Sequence, residues 1–256
     1  MTAIFSKKKY NYGIALGGGG VRGFAHLGVL QALEEKGIKP DIIAGTSAGA
    51  IAGAYIASGK SPREVFDLIK NHKLIDFVQV RLPKTGLLNL DRLRKSLADH
   101  IKADDLKDLP IPFYVAVSNI IDGHVEYFNE GPLVKIVQAS ASIPVLFAPV
   151  EIDGKLYSDG GLFDNVPVEP LLGKCKKIIA VNISPIHKTD KMKNLIQIAA
   201  RTFHLSVNST IKGLEDKCDL IIEPPELNEF EILDASKADE IYRVGYEHCK
   251  KLDIDL

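Results

Sequence analysis

Short apolar runs that end in glycine, each followed by a stretch with apolar residues every third or fourth position, set the pattern of this chain. Tyr12 to Leu16 is the first such run, and beyond GGGGVRG the segment Phe24 to Lys36 carries Phe24, Leu27, Leu30 and Leu33 at helical spacing. Gly37 is placed to end that helix. Ile42 to Ala44 is a second buried strand, followed at once by Gly45-Thr46-Ser47-Ala48-Gly49 and a helix of small residues that ends near Gly59. Two strand-turn-helix units in succession predict a parallel sheet. Ser61-Pro62-Arg63-Glu64 combines an N-cap serine, a proline at the first helical position and a capping-box glutamate, which predicts a helix to about Asn71.

From Lys73 to Leu90 no period dominates, although Leu74, Ile75, Phe77, Val78, Val80, Leu82, Leu87 and Leu88 make the segment strongly apolar. Asp91 is placed to cap a helix to about Ile101. Phe113 to Ser118 reads as a strand, Asp122-Gly123 as a hairpin turn before His124 to Phe128, and Pro132 to Ser142 as a helix stopped by Pro144. Asp153-Gly154 turns a second hairpin that leads into Ser158-Asp159-Gly160-Gly161. Lys177 to Asn182 is another buried strand, Lys191 to Lys212 a long helix, Leu220 to Glu223 a last strand and Ser236 to Lys251 the terminal helix. With no internal repeat, linker or low-complexity stretch, one α/β domain over residues 1–256 is expected.

Composition adds little until position is considered. The 32 basic and 33 acidic residues give a net charge of −1, and 46% of the 256 residues are hydrophobic; disorder, a collagen-like repeat and generic nucleic-acid binding are excluded. Glycine is only slightly in excess, at 21 residues, but nine of them fall in Gly17 to Gly23, Gly45 to Gly49 and Asp159 to Gly161. Cys175, Cys218 and Cys249 are far apart and form no CxxC, so neither a disulfide framework nor a cysteine zinc site is expected, and a reducing, cytoplasmic compartment is the simplest inference. Lys7, Lys8 and Lys9 precede no signal-type apolar run, and Ala48 to Ala57 is far short of the ~20 residues that span a bilayer. A soluble or peripheral protein is expected.

The chemistry gathers at the glycine clusters. Gly45-x-Ser47-x-Gly49 between a strand and a helix is a nucleophile-elbow arrangement: the glycines permit a tight turn that presents the hydroxyl, and the helix N-terminus beneath favours developing negative charge. Gly17 to Gly23 also leaves a strand and opens a helix, so its backbone N–H groups could bind an oxyanion or a phosphate. A dinucleotide site competes, because Gly18-x-Gly20-x-x-Gly23 matches GxGxxG with Asp41 18 residues on. However, Asp41 precedes the second strand, whereas the ribose-binding acid belongs at that strand's far end, where Ser47 lies. No Gly-Lys-Ser or Gly-Lys-Thr is present, so a P-loop is ruled out. Asp159-Gly160-Gly161 is, by itself, above all a turn signal.

Together these residues resemble the patatin-like phospholipase family. The resemblance rests on the GGGxRG loop at Gly18 to Gly23, the GxSxG elbow at Ser47, Ala139-Ser140-Ala141-Ser142-Ile143-Pro144 with Phe147 and Pro149, and Asp159 in DGGLFDNVP. It covers roughly residues 12 to 172, and the HLGVLQAL helix is most similar to small bacterial members related to the esterase domain of neuropathy target esterase. The resemblance implies a three-layer α/β/α fold with a mainly parallel central sheet. It also implies a Ser–Asp dyad, with Ser47 attacking an ester carbonyl of a phospholipid or lysophospholipid and Asp159 taking its proton. Gly19 and Gly20 would hold the oxyanion, Gly18, Arg22 and Gly23 would support that loop, Gly45 and Gly49 would shape the elbow, and Gly160 and Gly161 would complete the base motif. No metal and no cofactor is implied. A free aspartate titrates near ~3.9, so Asp159 needs a desolvated pocket that raises it.

A histidine triad is the mechanistic rival, since Ser47, Asp159 and His187 follow the chain order of α/β-hydrolases, although His187 matches no motif. His26, on the first helix, reads as a structural histidine. A non-catalytic adaptor and an acyltransferase sharing the elbow complete the alternatives. Residues 73–90 could form a lid or membrane contact, though core packing or a dimer contact is the commoner fate of such residues. Lys174, Lys176 and Lys177 read as solvated surface rather than a headgroup site. The partners expected are a lipid or ester substrate and, peripherally, a membrane, with no nucleic acid; oligomeric state leaves no mark in the sequence.

Overall fold

The computed structural model describes residues 8–71, 90–186, 192, 195–211, 213–232 and 234–256. Within them the elements are β1 (Tyr10–Leu16), α1 (Phe24–Glu35), β2 (Ile42–Thr46), α2 (Ala48–Ala57), α3 (Pro62–Asn71), α4 (Asp91–His100), β3 (Phe113–Asn119), β4 (His124–Phe128), α5 (Leu133–Ser140), β5 (Val150–Ile152), β6 (Lys155–Asp159), β7 (Cys175–Val181), α6 (Leu195–Asn208), β8 (Leu220–Ile222) and α7 (Ala238–Lys251). Short 3-10 turns punctuate them, notably Gly20–Gly23 after β1 and Gly160–Leu162 after β6. The expectation of a lid or contact surface at 73–90 falls, except for Leu90, outside the described residues.

Local chemistry explains where these elements begin and end. The capping box at α3 forms as predicted: the Glu64 carboxylate accepts the Ser61 N–H at 2.8 Å, and the Ser61 hydroxyl accepts the Glu64 N–H at 3.3 Å. Asp91 does not cap α4; it is the first helical residue, Leu90 holds the cap position, and the Asp91 carboxylate lies 3.9 Å from Arg94 one turn on. β1 starts two residues earlier than its apolar run because Tyr10 already pairs with Cys175 of β7, while on the other edge Asp41 accepts the N–H groups of Asn11 and Tyr12 at 2.8 and 2.9 Å. The long helix expected to run to Lys212 ends earlier, α6 giving way at Asn208 to a 3-10 turn over Ser209–Ile211.

Eight strands form one sheet in the order β5-β6-β3-β2-β1-β7-β8, with β4 also on β3; β3, β2, β1, β7 and β8 run parallel and the hairpin strands antiparallel. The last four residues of β1, all of β2 and the last four of β7 are buried, as strands covered on both faces must be. One face packs Ile14, Leu16, Ile43, Val115, Val117, Ile179 and Val181 against α1, α2, α5 and α7. The other packs Ala15, Ala44, Ile178 and Ala180 under Val166, Val168, Leu171 and Leu214, a thinner layer of 3-10 turns and loop.

Two strands share one edge of β3. β2 pairs with Phe113 to Ala116, and β6, running the opposite way, pairs with Val117 to Asn119, while β4 holds the other edge from Val115 to Asn119. The C-terminal ends of β2 and β6 therefore meet head to head. Beside this junction α2 lies so close to β1 that a Cβ on Gly49 would stand 2.0 Å from the Leu16 carbonyl oxygen. Both sides of that contact are backbone, which cannot rotate away. Gly49→Ala is expected to destabilise the protein by ~1–3 kcal/mol, the usual cost of overpacking, read as a fall in the urea unfolding midpoint; an unchanged midpoint would show that the elbow tolerates displacement.

Candidate active site

Ser47 sits in the turn between β2 and α2 with φ 54° and ψ −119°, a backbone conformation that L-residues rarely adopt. Holding a serine there costs of the order of 1–3 kcal/mol, offset by the packing that fixes the turn. The Ser47 N–H donates to the Ser140 hydroxyl at 2.9 Å, and that hydroxyl donates to the Ala116 carbonyl of β3 at 2.7 Å. Gly45, the next-to-last residue of β2, is level with Leu16 at the end of β1, so the elbow and the loop after β1 leave the sheet side by side.

Asp159 ends β6 level with Val117, the next residue along β3 from Ala116, which pairs with Thr46. The shared edge thus brings the candidate nucleophile and the candidate base together. Asp159 is fully buried; its N–H donates to the Ser142 carbonyl at 2.9 Å, and its Oδ1 accepts the Gly161 N–H at 2.9 Å across the turn that Gly160 and Gly161 form. Oδ2 is buried with no hydrogen bond of regular geometry. Burial raises the carboxyl to about 7, against the opposing influence of the Ser47 hydroxyl and the Gly161 N–H.

The loop from Gly17 to Gly23 is pinned on one side. Gly17 N–H donates to Val181, Gly18 N–H to Asn165, and the Gly18 carbonyl accepts the Ser184 hydroxyl at 2.6 Å. Gly20 has φ 59°, a left-handed conformation that suits glycine. The N–H groups of Gly19 and Gly20 have no acceptor among the described residues. Gly23 hands the chain to α1. Arg22 is not an exposed cation at a helix start. It is fully buried, with Nε donating to Phe230 at 2.9 Å and a terminal nitrogen to Pro185 at 3.2 Å, and burial, helped by Arg201, lowers it to about 10. Arg22 therefore straps the loop to the C-terminal third of the chain.

Gly18, Gly19, Gly20, Ser47 and Asp159 line one cavity with Ile143, Asn165, Ser184, Phe203, His204, Val207 and Ile232. Several residues that line this cavity or hold the elbow and the Asp159 turn have no role assigned by a motif. Ser140 and Ser142, in ASASIP, and Asn165, in DGGLFDNVP, lie in segments matched as strings without a role, and Ser184 and His204 lie beyond the matched region altogether. His204 on α6 is buried with Nε2 3.2 Å from the Ser184 carbonyl. His26 is structural, as expected: Nε2 donates to the Gly17 carbonyl at 2.7 Å, and burial lowers it to about 4, so it is neutral at pH 7. His187, the rival triad member, lies outside the described residues. Asp41, the ribose-binding candidate, is spent on the opposite end of β1 from the glycine loop. Among the described residues no three of His, Cys, Asp or Glu gather where they could hold a metal ion.

Residues 14–172 match the family model for patatin-like phospholipases. An uncharacterised NTE family protein of Mycobacterium bovis is 33% identical over 162 residues, covering 62% of this chain and 45% of its own length. A lysophospholipase, NTE1, of Saccharomyces cerevisiae is 28% identical over 272 residues, covering 92% of this chain and 16% of its own. The chain thus spans less than half the length of these relatives. Among solved structures, VipD from Legionella pneumophila aligns with a TM-score of 0.48 at 15% identity, over 95% of this chain and 68% of that one.

The state of Asp159 has a thermodynamic consequence. Because its folded-state value, about 7, lies above the ordinary 3.8, the fold keeps a proton that the unfolded chain releases. Its effect on stability is nil at low pH, grows unfavourable between pH ~4 and ~7, and stays at up to ~4 kcal/mol above that. Asp159→Asn keeps an acceptor for Gly161 and is expected to melt several degrees above wild type at pH 8 but not at pH 4; an equal gap at both pH values would contradict the raised carboxyl.

Proposed function

The chain belongs to the patatin-like phospholipase family, and from that premise we propose that it hydrolyses the acyl ester of a phospholipid or lysophospholipid through a Ser47–Asp159 dyad. The observation that carries this reading is the fully buried Asp159 carboxyl, with one oxygen unpartnered and its proton affinity lifted to about 7, beside a serine held in a strained elbow. A base with that affinity can take a hydroxyl proton at neutral pH and later return it. The lysophospholipid option is supported by the yeast relative named a lysophospholipase, whose match covers 92% of this chain.

In the first half-reaction Ser47 Oγ bonds to the ester carbonyl carbon as its proton passes to Asp159 Oδ2. The carbonyl π electrons move to oxygen, which the Gly19 and Gly20 N–H groups receive; each such donor is worth ~10²–10³ in rate. Collapse breaks the bond to the alcohol oxygen, which leaves with the proton from Asp159. In the second half, Asp159 takes a proton from water, the hydroxide oxygen attacks the Ser47 ester, and the fatty acid departs as Ser47 recovers its proton. The charge that develops in both halves lies beside the N-terminus of α2, which favours it.

Ser47→Ala and Asp159→Asn are each expected to lower hydrolysis of nitrophenyl esters and lysophospholipid by at least ~10³-fold, and a fluorophosphonate probe is expected to label wild type at Ser47 only. Activity is expected to rise with pH through a midpoint near 7, as Asp159 ionises; a midpoint near 4 would contradict its role. His187→Ala is expected to keep most activity, and a variant as inactive as Ser47→Ala would establish the triad instead. Complete absence of labelling in wild type would favour the adaptor.

A further inference from the structure

The cavity at Ser47 and Asp159 has a volume of about 20 Å³, room for a single water, whereas a site that takes a lipid-sized ligand offers ~300 Å³ or more. α6 supplies one wall of that cavity through Phe203, His204 and Val207. At 100° per residue these three fall on one arc of the helix with Ile196 and Ala200. Leu195, Ile198, Thr202 and Leu205 fall on the arc about half a turn away. That outer row is not covered: Leu195 is 78% exposed, Ile198 43% and Leu205 47%. α6 is therefore apolar on two opposite faces, one closing the site and one in water, whereas a surface helix ordinarily carries a single apolar stripe.

Other large exposed apolar side chains flank the same cavity along the chain. Val145 follows its wall residue Ile143 by two positions, Ile186 follows Ser184 by two, Phe163 lies four beyond Asp159, and Met192 precedes α6. Exposed apolar side chains on several of the segments that line one cavity are of the kind that mark a contact.

We propose that α6 is a lid whose outer row, Leu195, Ile198 and Leu205, docks into the surface of a lipid aggregate, and that docking releases its inner row from the cavity. A surface can favour the open form only by binding it better than the closed form. Here the difference lies in the inner row: opening in water exposes Ile196, Phe203 and Val207, whereas at a lipid surface acyl chains meet them. The net charge of −1 offers no general attraction to anionic headgroups, so docking is apolar and extends to zwitterionic lipid. The substrate side of this proposal rests on the hydrolase reading; the docking side does not.

The test compares wild type with the triple variant Leu195→Gln, Ile198→Gln, Leu205→Gln, with and without phosphatidylcholine vesicles. Three readouts are taken: co-sedimentation, fluorophosphonate labelling of Ser47, and amide hydrogen exchange over 195–208. Wild type is expected to sediment with vesicles in high salt, to label at least tenfold faster with them, and to lose protection in 195–208. The triple variant is expected to label at the wild-type rate in buffer, which also shows that it folds, and to lose at least tenfold in both vesicle effects. A wild type indifferent to vesicles, a variant that keeps the acceleration, or a dimer that the variant dissolves would overturn the proposal. A wild type that never labels, but whose 195–208 amides still respond to vesicles while those of the variant do not, would overturn the hydrolase reading and support the lid.

Discussion

The geometry of this protein depends on the shared edge of β3. A strand has two hydrogen-bonding edges, and β4 fills one of them over Val115 to Asn119, so β2 and β6 must divide the other. Thr46 pairs with Ala116 and Asp159 with Val117, which brings two residues 113 positions apart in sequence onto adjacent rungs of one ladder. The ASASIP segment then ties each side in place, Ser140 receiving the Ser47 amide and the Ser142 carbonyl receiving that of Asp159. Both anchored groups are backbone N–H groups, and the one side chain among the anchors, Ser140, is itself buried and fixed on the Ala116 carbonyl, so the spacing of the pair does not rely on flexible side chains.

That precision is held against two unfavourable terms. Ser47 occupies a strained backbone conformation, and Asp159 is a fully buried carboxyl with an oxygen that makes no hydrogen bond of regular geometry. Either would be removed by selection for stability alone. A carboxyl in water, at its ordinary value, would be a weak base toward a hydroxyl; the same carboxyl stripped of water holds a proton at about 7. The destabilisation of the fold and the competence proposed for the base have one cause.

Much of this was legible in the sequence, and what was not has a physical reason. The order of strands and helices, the elbow at Ser47, the glycine loop and the turn at Asp159 all follow from local pattern, because glycine clusters and apolar runs encode local geometry. Asp159 by itself read as a turn residue, since nothing local encodes burial; the β3 edge that buries it beside Ser47 is a long-range pairing. Ser140, Ser142, Asn165 and Ser184 act by hydrogen-bonding backbone groups of the elbow, the Asp159 turn and the glycine loop, a role for which small polar residues leave no distinctive signature. His204 lacked any motif and lies on a helix whose inner face could not be told from its outer one, because both are apolar. Arg22 was read at the loop, but its partners, Pro185 and Phe230, are 163 and 208 residues away. Asp91 was assigned as a cap from residue type alone, and the cap position fell to Leu90.

One junction of the fold holds the proposed nucleophile, the proposed base and two N–H groups without an acceptor among the described residues around one cavity. A crystal structure of the protein after reaction with a fluorophosphonate tests it most directly. The account predicts phosphorus bonded to Ser47 Oγ, the phosphoryl oxygen within hydrogen-bond distance of the Gly19 and Gly20 N–H groups, and the Asp159 carboxyl, with no imidazole intervening, against Oγ. A phosphoryl oxygen turned away from that loop, or a histidine ring seated between Ser47 and Asp159, would contradict it.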